Sequence, residues 1–581
     1  MTLFQLIGRF VRQHWPAYAS SGAMLAGIAV LGVWMPRQVG HMVDGLVRNT
    51  LAGPALLIEI AWLLAAGAAI YGLRVAWRLR LYATAYQLGV QLRVQLFDRL
   101  VQQGPRFYQQ QRTGDLMALA TNDVDAVEMA AGEAMLAGFD GTLTLVLVVA
   151  TMTLGVDWRL AAVVLLPFPF MAWSFFWISG HVHQASRQSL AAFSALNDQV
   201  QESLSGVRAL RALGLIDHHS RQFSGLAGQA AQAGLAAQRW EASYEPAVGW
   251  SLGAGSVLSL AYGGHLVWHE QITVGQLTSF GLYLGQLIWP MFAAGWVLSL
   301  IERGRAAWGR LAPVLDTPLS VDDQGQRAPV LPGLLQMSGV QFAYPGSTTP
   351  ALGPLDWALP AGHTLGIVGP TGAGKSTLIK LLMRQWAPDA GQVLWAGHAL
   401  PDYTLEALRH AIAWVPQEPF LFSASVAENI ALARPAASRE QIEQAAREAC
   451  VHDDILALPQ GYDTPVGERG VTLSGGQRQR VAIARALLVD APLLLLDDAL
   501  SAVDTGTAAR ILAALRRQRA GRTVVIVSHR LATVMEADQI LVLRQGRVAE
   551  QGDHARLISQ ADGWYATQWQ VQQLEASLDE D

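Results

Sequence analysis

The sequence predicts an all-α membrane domain of six helices with long cytoplasmic helical extensions, followed by an α/β domain. Charged residues make up only 15% of the 581 residues and hydrophobic residues 51%, whereas soluble domains carry roughly 25% charged residues. Six long apolar segments all lie before residue 302. Beyond residue 333, short apolar runs alternate with helix-like stretches, which is the pattern of an α/β fold. A chain of this length is expected to form at least two domains.

The six apolar segments are predicted to be membrane helices. Each has close to the ~20 residues that cross ~30 Å of hydrocarbon, and buried helices of a soluble protein would not be confined to one half of the chain. Arg9 and Arg12 precede the first segment, but no small-x-small cleavage site follows it, so a retained helix is expected rather than a signal peptide. An amphipathic segment, residues 3–11, is expected to lie along the cytoplasmic face. The apolar segments span residues 17–34, 56–73, 136–156, 160–178, 248–268 and 277–301.

Two stretches predict helices that continue far beyond the bilayer. Pro54 and Pro105 bracket fifty residues without proline, and a helix of that length spans about 70 Å, more than twice the bilayer core. The same pattern recurs between Pro169 and Pro246. The polar stretches at about 80–135 and 180–245 are therefore predicted to be helical extensions rather than loops.

Arginine placement predicts the orientation. The connections on one side of the predicted helices are rich in arginine, whereas those on the other side carry few positive charges, such as Arg48 and Arg159. Positive charge marks the cytoplasmic side, so both termini and the α/β domain are expected in the cytoplasm. The net charge of −5 argues against a nucleic-acid partner, and a single cysteine, Cys450, excludes an intrachain disulfide.

One acid stands out in the third apolar segment. Asp140 is an ionisable group within a predicted membrane helix, where such groups are costly and usually face a cavity or a partner. It is a candidate substrate-cavity or proton-coupled residue. A salt bridge or a snorkelling side chain is the alternative explanation, and it is slightly favoured.

A composition change predicts where the two domains meet. Residues 317–333 are rich in Pro, Gly and Asp, which is typical of a boundary. The predicted organisation is a membrane domain at 1–316, a linker at 317–333, a nucleotide-binding domain at 334–570 and an acidic C-terminal tail at 571–581.

The segment GPTGAGKST, residues 369–377, satisfies the P-loop pattern and lies between an apolar strand-like run and a helical run. Its backbone N–H groups are expected to wrap nucleotide phosphates at a helix N-terminus. Lys375 would reach the β- and γ-phosphates and Ser376 would ligate Mg²⁺. The predicted phosphate-binding residues are Gly369, Thr371, Gly372, Ala373, Gly374, Lys375, Ser376 and Thr377.

About a hundred residues later, LSGGQ at residues 473–477 resembles the signature of ATP-binding-cassette (ABC) proteins. Other motifs stand in that family's order: Tyr344 in FAYP, Gln417 in VPQEPFLF, TPVGERG at 464–470, LLLLD ending at Asp497, SAVD at 501–504 and His529 in VSHR. The resemblance implies that Tyr344 stacks on the adenine of ATP. It also implies that Gln417 and Asp497 join Ser376 around Mg²⁺, and that Gln417 and His529 take part in hydrolysis.

The membrane half resembles that of a type I exporter half-transporter, with coupling regions at 107–125 and 201–214. Short segments are similar to the A subunits of bacterial multidrug-resistance-like (Mdl or Smd) heterodimeric exporters, a subgroup that also carries an acid where Asp140 lies. These segments are VGQLTSF at 274–280, IWPM at 288–291, VHDDIL at 451–456 and LDDALSAVD at 496–504.

The resemblance also implies that each cassette completes the site of a partner. Ser474, Gly475, Gly476 and Gln477 would contact ATP held by the other subunit. The family's usual Glu after the Walker B Asp is replaced here by Asp498. A base must come within about 2.6–3.2 Å of the proton that it accepts, and Asp is one methylene shorter than Glu. The chain's own site is therefore predicted to be slow, within an asymmetric heterodimer; catalysis by Asp498 through an extra water in a homodimer remains an alternative.

The predicted function is ATP-driven export of hydrophobic or amphipathic compounds across the bacterial inner membrane, with ATP and Mg²⁺ as cofactors. The predicted partners are a second half-transporter, membrane lipid and small hydrophobic substrates, with no nucleic acid. Lipid or peptide export by the same architecture, an ATP-gated channel and a regulatory ATPase are the alternatives.

Overall fold

The chain folds into two compact units. The first comprises Met1–Leu100 and Gly114–Thr317, and the second comprises Val101–Thr113 and Pro318–Asp581. The computed structural model describes residues 1–328, 330, 332–467, 473–517 and 521–579.

The first unit is entirely helical where the structure describes it. The helical stretch Thr113–Val156 contains three π-helical stretches, Leu119–Asp123, Ala130–Ala134 and Thr151–Val156. The α-helices in chain order, of which α4 belongs to the second unit, are α1 (Leu3–Gln13), α2 (Trp15–Val47), α3 (Pro54–Gln102), α4 (Pro105–Gln110), α5 (Thr113–Ala118), α6 (Val124–Met129), α7 (Met135–Ala150), α8 (Trp158–Val164), α9 (Pro167–Ser205), α10 (Val207–Ala212), α11 (Ile216–Ala242), α12 (Tyr244–Trp268), α13 (Val274–Gln286) and α14 (Ile288–Asp316).

The long helical extensions are confirmed. Helix α3 is continuous over 49 residues, which corresponds to about 74 Å. The second polar stretch is also helical rather than a loop, because α9, α10 and α11 form most of it. A short break at residues 213–215 separates α10 from α11. All six predicted apolar segments fall in helices.

Among the residues that the structure describes, five helical stretches are long and apolar enough to cross a membrane: Trp15–Val47, Pro54–Gln102, Thr113–Val156, Trp158–Ser205 and Val274–Asp316. Helix α12 is not among them, although it has 25 residues. Its many glycine, serine and aromatic residues lower its mean hydropathy.

A proline inside α2 is accommodated by a neighbouring helix. Pro36 has no N–H group, so the carbonyl of Gly32 loses its helical hydrogen-bond donor. Gln286 of α13 donates from Nε2 to that carbonyl at 2.8 Å, and the hydroxyl of Tyr283, one turn earlier, donates to the carbonyl of Val33 at 2.7 Å. The carbonyl that the proline leaves without a helical donor is thus satisfied by α13, which also bonds the carbonyl of the next residue in α2.

The amphipathic N-terminal segment forms α1, but only part of its apolar face is buried against protein. Leu3, Ile7 and Phe10 are buried, whereas Phe4 is 63% exposed. The indole N–H of Trp308 in α14 donates to the carbonyl of Met1 at 2.7 Å. Part of the face expected to lie on the membrane therefore packs against protein.

The second unit is α/β. A six-stranded sheet has the order β12-β11-β3-β10-β9-β6, in which β12 alone pairs antiparallel, and a four-stranded antiparallel sheet has the order β2-β1-β4-β5. The strands are β1 (Leu335–Phe342), β2 (Leu352–Leu359), β3 (Thr364–Val368), β4 (Ala390–Trp395), β5 (His398–Ala399), β6 (Ile412–Val415), β7 (Ala424–Ser425), β8 (Pro465–Val466), β9 (Leu493–Asp497), β10 (Thr523–Val527), β11 (Gln539–Arg544) and β12 (Arg547–Gly552).

Besides α4, the described part of this unit contains nine α-helices. They are α15 (Lys375–Leu382), α16 (Leu405–His410), α17 (Val426–Ile430), α18 (Arg439–Glu448), α19 (His452–Leu456), α20 (Gly475–Leu488), α21 (Thr505–Arg517), α22 (His554–Ile558) and α23 (Trp564–Asp579). Helix α23 runs across position 570, where the sequence predicts that an acidic tail begins.

Strand register brings the predicted motifs to one edge. In the parallel part of the six-stranded sheet, Val527 of β10 pairs with both Ile367 of β3 and Asp497 of β9, and Val415 of β6 pairs with Leu496. The segments that follow these four strands therefore emerge together at the carboxyl edge, where α/β sheets bind ligands.

The predicted linker is hydrogen-bonded to the second unit. The backbone N–H groups of Gln326 and Arg327 both donate to the carbonyl of Asp402 at 3.0 Å. The carboxylate of Asp323 accepts from the backbone N–H of Leu405 at 2.8 Å. Most of the described linker is thus fixed on the α/β fold.

Candidate nucleotide-binding and hydrolysis site

The P-loop connects β3 to α15 through a turn that requires glycine. Gly369, Gly372 and Gly374 have φ of +145°, +80° and +98°, which side-chain-bearing residues rarely adopt. A Cβ on Gly369 would lie 2.1 Å from the carbonyl oxygen of Leu543, and one on Gly374 would lie 2.6 Å from that of Ala351. Successive turns of this kind form a concave nest of N–H groups that suits an anion.

The other predicted P-loop residues differ in their exposure. Thr371 is exposed, whereas Ala373 is buried and its carbonyl accepts from the backbone N–H of Gly546 at 3.2 Å. This bond ties the loop to the turn between β11 and β12.

Lys375 closes the loop. Lys375 is buried, with only 6% of its surface exposed. Its Nζ donates to the carbonyls of Gly369 at 2.8 Å and Pro370 at 3.0 Å. Burial lowers the pKa of Lys375, and the nearby carboxylates of Asp498 and Asp497 oppose that shift. A buried ammonium beside a nest of amides is suited to the phosphates of a nucleotide.

Ser376 and Asp497, two of the predicted magnesium ligands, are hydrogen-bonded to each other. The hydroxyl of Ser376 donates to Asp497 Oδ1 at 3.0 Å. Burial raises the pKa of Asp497, and this hydrogen bond opposes the shift. Gln417 is exposed just after β6. One carboxylate, one hydroxyl and an amide oxygen fit Mg²⁺, which takes few protein ligands and completes its shell with phosphate and water.

Tyr344 lies beside α15. Its hydroxyl is 3.1 Å from the hydroxyl of Thr377, its ring meets Trp386 edge-on with centroids 5.4 Å apart, and Lys380 Nζ is 5.8 Å from its ring centroid. The ring is thereby held next to Thr377 of the P-loop, and its stacking on adenine stays a prediction.

Asp498 occupies an unusual backbone conformation. Its φ is +49° and it is 8% exposed. Its N–H donates to the carbonyl of Val527 at 2.9 Å, and its carboxylate accepts from the backbone N–H of His529 at 3.4 Å. Asp tolerates the left-handed region better than most residues. Nothing in the sequence motif signals this strain.

The signature segment begins α20. Ser474 caps the helix: its hydroxyl accepts from the N–H of Gln477 at 3.2 Å, and its own N–H donates to Gln477 Oε1 at 3.0 Å. Gln477 Nε2 also donates to Asp454 of α19 at 3.0 Å. Part of the TPVGERG segment, residues 468–470, lies outside the described residues.

The beginning of α20 is open to other molecules. Ser474 and Gly475 are exposed, and a Cβ on Gly475 would meet nothing within 4 Å, whereas one on Gly476 would lie 3.0 Å from the carbonyl of Ala502. No hydrogen bond within the described ranges joins residues 474–477 to the P-loop residues 369–377. A helix N-terminus attracts anions. The exposed start of α20 is therefore suited to bind a phosphate group other than one held at the chain's own P-loop.

Comparisons with known proteins agree with this geometry. Residues 352–501 match the ABC transporter family profile, and residues 21–291 match the ABC transporter transmembrane region. The chain is 43% identical over 580 residues to "Multidrug resistance-like ATP-binding protein MdlA" of Escherichia coli, covering 100% of this chain and 98% of that protein. The chain belongs to the ABC transporter family.

Further similarities concern the relatives and the fold of this transporter. It is 34% identical over 481 residues to an "ATP-dependent lipid A-core flippase" of Chromobacterium violaceum, covering 83% and 82% of the two chains. A bacterial Atm1-family ABC exporter solved with ATP bound superposes with a TM-score of 0.78 at 28% identity, covering 97% of this chain and 98% of the other. The predicted fold class is confirmed. The chain is a multi-pass membrane protein that couples ATP hydrolysis to export.

Proposed function

We propose that the transporter exports hydrophobic or amphipathic compounds of the multidrug type across a bacterial inner membrane, as one half of a heterodimer. Both termini and the nucleotide domain would lie in the cytoplasm. The observation that carries the heterodimer is the pairing of an intact, exposed signature at Ser474 and Gly475 with the short acid Asp498. The printed name of the Escherichia coli relative supports the substrate class.

The signature, residues 473–477, and the acids Asp497 and Asp498 would serve two different ATP molecules. The P-loop amides and Lys375 would hold the phosphates of this chain's own ATP, while Ser376, Asp497 and Gln417 would hold Mg²⁺, which neutralises phosphate charge when bound. Asp498 is too short to polarise water as Glu does. Ser474 to Gln477 would complete the competent site of a partner that retains Glu. Closure of two such cassettes is a two-state change biased by nucleotide.

Asp498→Glu tests the slow site. Single-turnover conversion of azido-ATP cross-linked to this chain should become about tenfold faster. This gain is smaller than the roughly 10²–10⁴-fold contribution of a general base, because Glu fits φ of +49° less well. Total turnover should rise only modestly, since the partner site dominates it. Asp498→Asn should give no acceleration, and equal rates in the Glu variant and the original chain would contradict the proposal.

The substrate cavity is proposed to include Asp140. A cavity of about 470 Å³ within the membrane unit is lined by apolar, aromatic and charged side chains. The indole N–H of Trp289 donates to Asp140 Oδ2 at 3.1 Å, and Arg74 also lines the cavity. Apolar walls with few polar groups are typical of small-molecule sites.

Asp140→Asn should weaken substrate stimulation of ATPase activity for cationic amphipaths by about tenfold, the value of one hydrogen bond to a charged group. The measurement is the half-maximal stimulating concentration across cationic and neutral compounds of similar size. Glu59→Gln is the control, because Glu59 is a membrane-segment acid that bonds Gln38 and does not line this cavity. Equal effects on cationic and neutral compounds would show that Asp140 does not recognise the charge of the substrate.

Export itself is tested in proteoliposomes that contain the transporter as it is isolated from its membrane. ATP-dependent accumulation against a gradient, with a second half-transporter co-purifying, is the expected result. Downhill flux alone would indicate a channel, and full-rate hydrolysis and uphill transport by this chain alone would contradict the heterodimer. Transport of labelled lipid but not of drugs would favour lipid export, as the name of the lipid A-core flippase relative suggests.

A further inference from the structure

A C-terminal glutamine holds the segment that carries the switch histidine. Gln572 of α23 donates from Nε2 to the carbonyl of His529 at 2.8 Å, and its Oε1 accepts from the backbone N–H of Leu531 at 2.9 Å. One side-chain amide thus satisfies two backbone groups on either side of Arg530. None of the sequence motifs that predict the nucleotide site includes Gln572.

The position of Gln572 follows from how α23 is fixed. Tyr565 is fully buried and Trp569 packs against the same core. Residues 565, 569 and 572 share one face of a helix. The carboxylate of Glu550 accepts from the N–H of Trp564 at 2.6 Å at the beginning of the helix. Because Tyr565 and Trp569 anchor this face of α23 in the core, the side-chain amide of Gln572 lies next to the loop after β10.

The segment that Gln572 holds contacts two other parts of the site. The N–H of His529 donates to the carboxylate of Asp498 at 3.4 Å. The guanidinium of Arg530 donates to the carbonyl of Val503, in the SAVD segment, at 3.0 Å. A shift of residues 529–531 would therefore change the surroundings of Asp498 and of the SAVD segment together.

We infer that Gln572 is a positioning residue that fixes the backbone of His529 and Leu531, so that the C-terminal helix sets the geometry of the hydrolysis site. The amide makes one donor and one acceptor bond to the backbone of this loop, in addition to the bonds that His529 and Arg530 make to Asp498 and Val503. The inference needs only the ATP hydrolysis that the family performs. It is independent of the heterodimer and of the substrate.

The test compares Gln572→Leu with the unchanged chain in the assembled transporter. Amide hydrogen exchange at Leu531 should become roughly 2- to 10-fold faster, the worth of one net hydrogen bond. Conversion of azido-ATP cross-linked to this chain should slow by a similar factor, roughly 2- to 10-fold. Nucleotide binding should stay within about twofold, because no P-loop contact is removed.

Gln573→Leu is the matched control, since Gln573 is the exposed next residue on another face of α23. It should leave both Leu531 exchange and azido-ATP conversion unchanged. If the leucine variant does not accumulate, Gln572→Met keeps the unbranched shape and removes the same two bonds. Unchanged Leu531 exchange in the Gln572 variant, or equal changes in both variants, would overturn the assignment.

Discussion

Gly475→Asp is expected to lower steady-state ATPase activity of the assembled transporter at least about 100-fold. A carboxylate at this position would repel the γ-phosphate held by the partner and displace it from the N–H groups of the signature. Loss of even one such hydrogen bond to a developing anion costs about 10²–10³ in rate. The chain itself has room for the new side chain, because a Cβ on Gly475 meets nothing within 4 Å. Asp is also favourable in the first turn of a helix. The loss would therefore arise at the interface rather than from misfolding.

Ala555→Asp is the control for this experiment. It places the same charge in the first turn of α22 of the same unit, at an exposed position. Turnover should remain within about twofold, as expected for a surface change. If Gly475→Asp retained full turnover, this chain's signature would not serve the site that dominates hydrolysis.

Lys375→Ala is expected to weaken ATP binding at this chain's own site by about 10- to 150-fold, because a charge-assisted hydrogen bond is worth about 1.5–3 kcal/mol. Under the proposed division of labour, in which the partner's site dominates, a substantial fraction of total turnover should remain. Azido-ATP labelling of this chain measures the first quantity and phosphate release by the assembled transporter measures the second.

Lys380→Ala is the matched lysine substitution on the same helix. Its ammonium lies over the ring of Tyr344 at 5.8 Å, and a partly exposed contact of this kind is worth about 0.5–1 kcal/mol. Binding should weaken by no more than about fivefold. Complete loss of turnover in Lys375→Ala would contradict the division between a slow site and a competent one.

The nucleotide site was largely predictable because its chemistry is carried by consecutive residues. The P-loop motif contains glycines that permit a left-handed turn and a lysine at the start of a helix, and the second motif is an acid at the end of an apolar strand. Each motif can be recognised from neighbouring residues alone. Ser376 and Asp497 are separated by more than a hundred residues, yet the parallel register of β3, β10 and β9 brings their side chains to 3.0 Å. The long helix α3 was predictable for a similar reason, since proline spacing limits where helices end.

Other features depend on partners that are remote in sequence. Gln286 compensates Pro36 across 250 residues of chain, and α1 buries Leu3 against helix α14 rather than lipid alone. A composition pattern reports how apolar a segment is, but it does not report which surface covers it. Helix α12 illustrates the same limit, because its length is sufficient while its hydropathy is not.

The sequence alone determined that this chain is an ABC exporter half with an intact signature and a shortened acid, because those properties depend on which residues stand in each motif. Only the tertiary structure decided that Asp498 has φ of +49° and that Gln572 holds the backbone around His529. Backbone conformation at one residue and hydrogen bonds between distant segments arise from the packing of the whole unit, and no local pattern of residues encodes them.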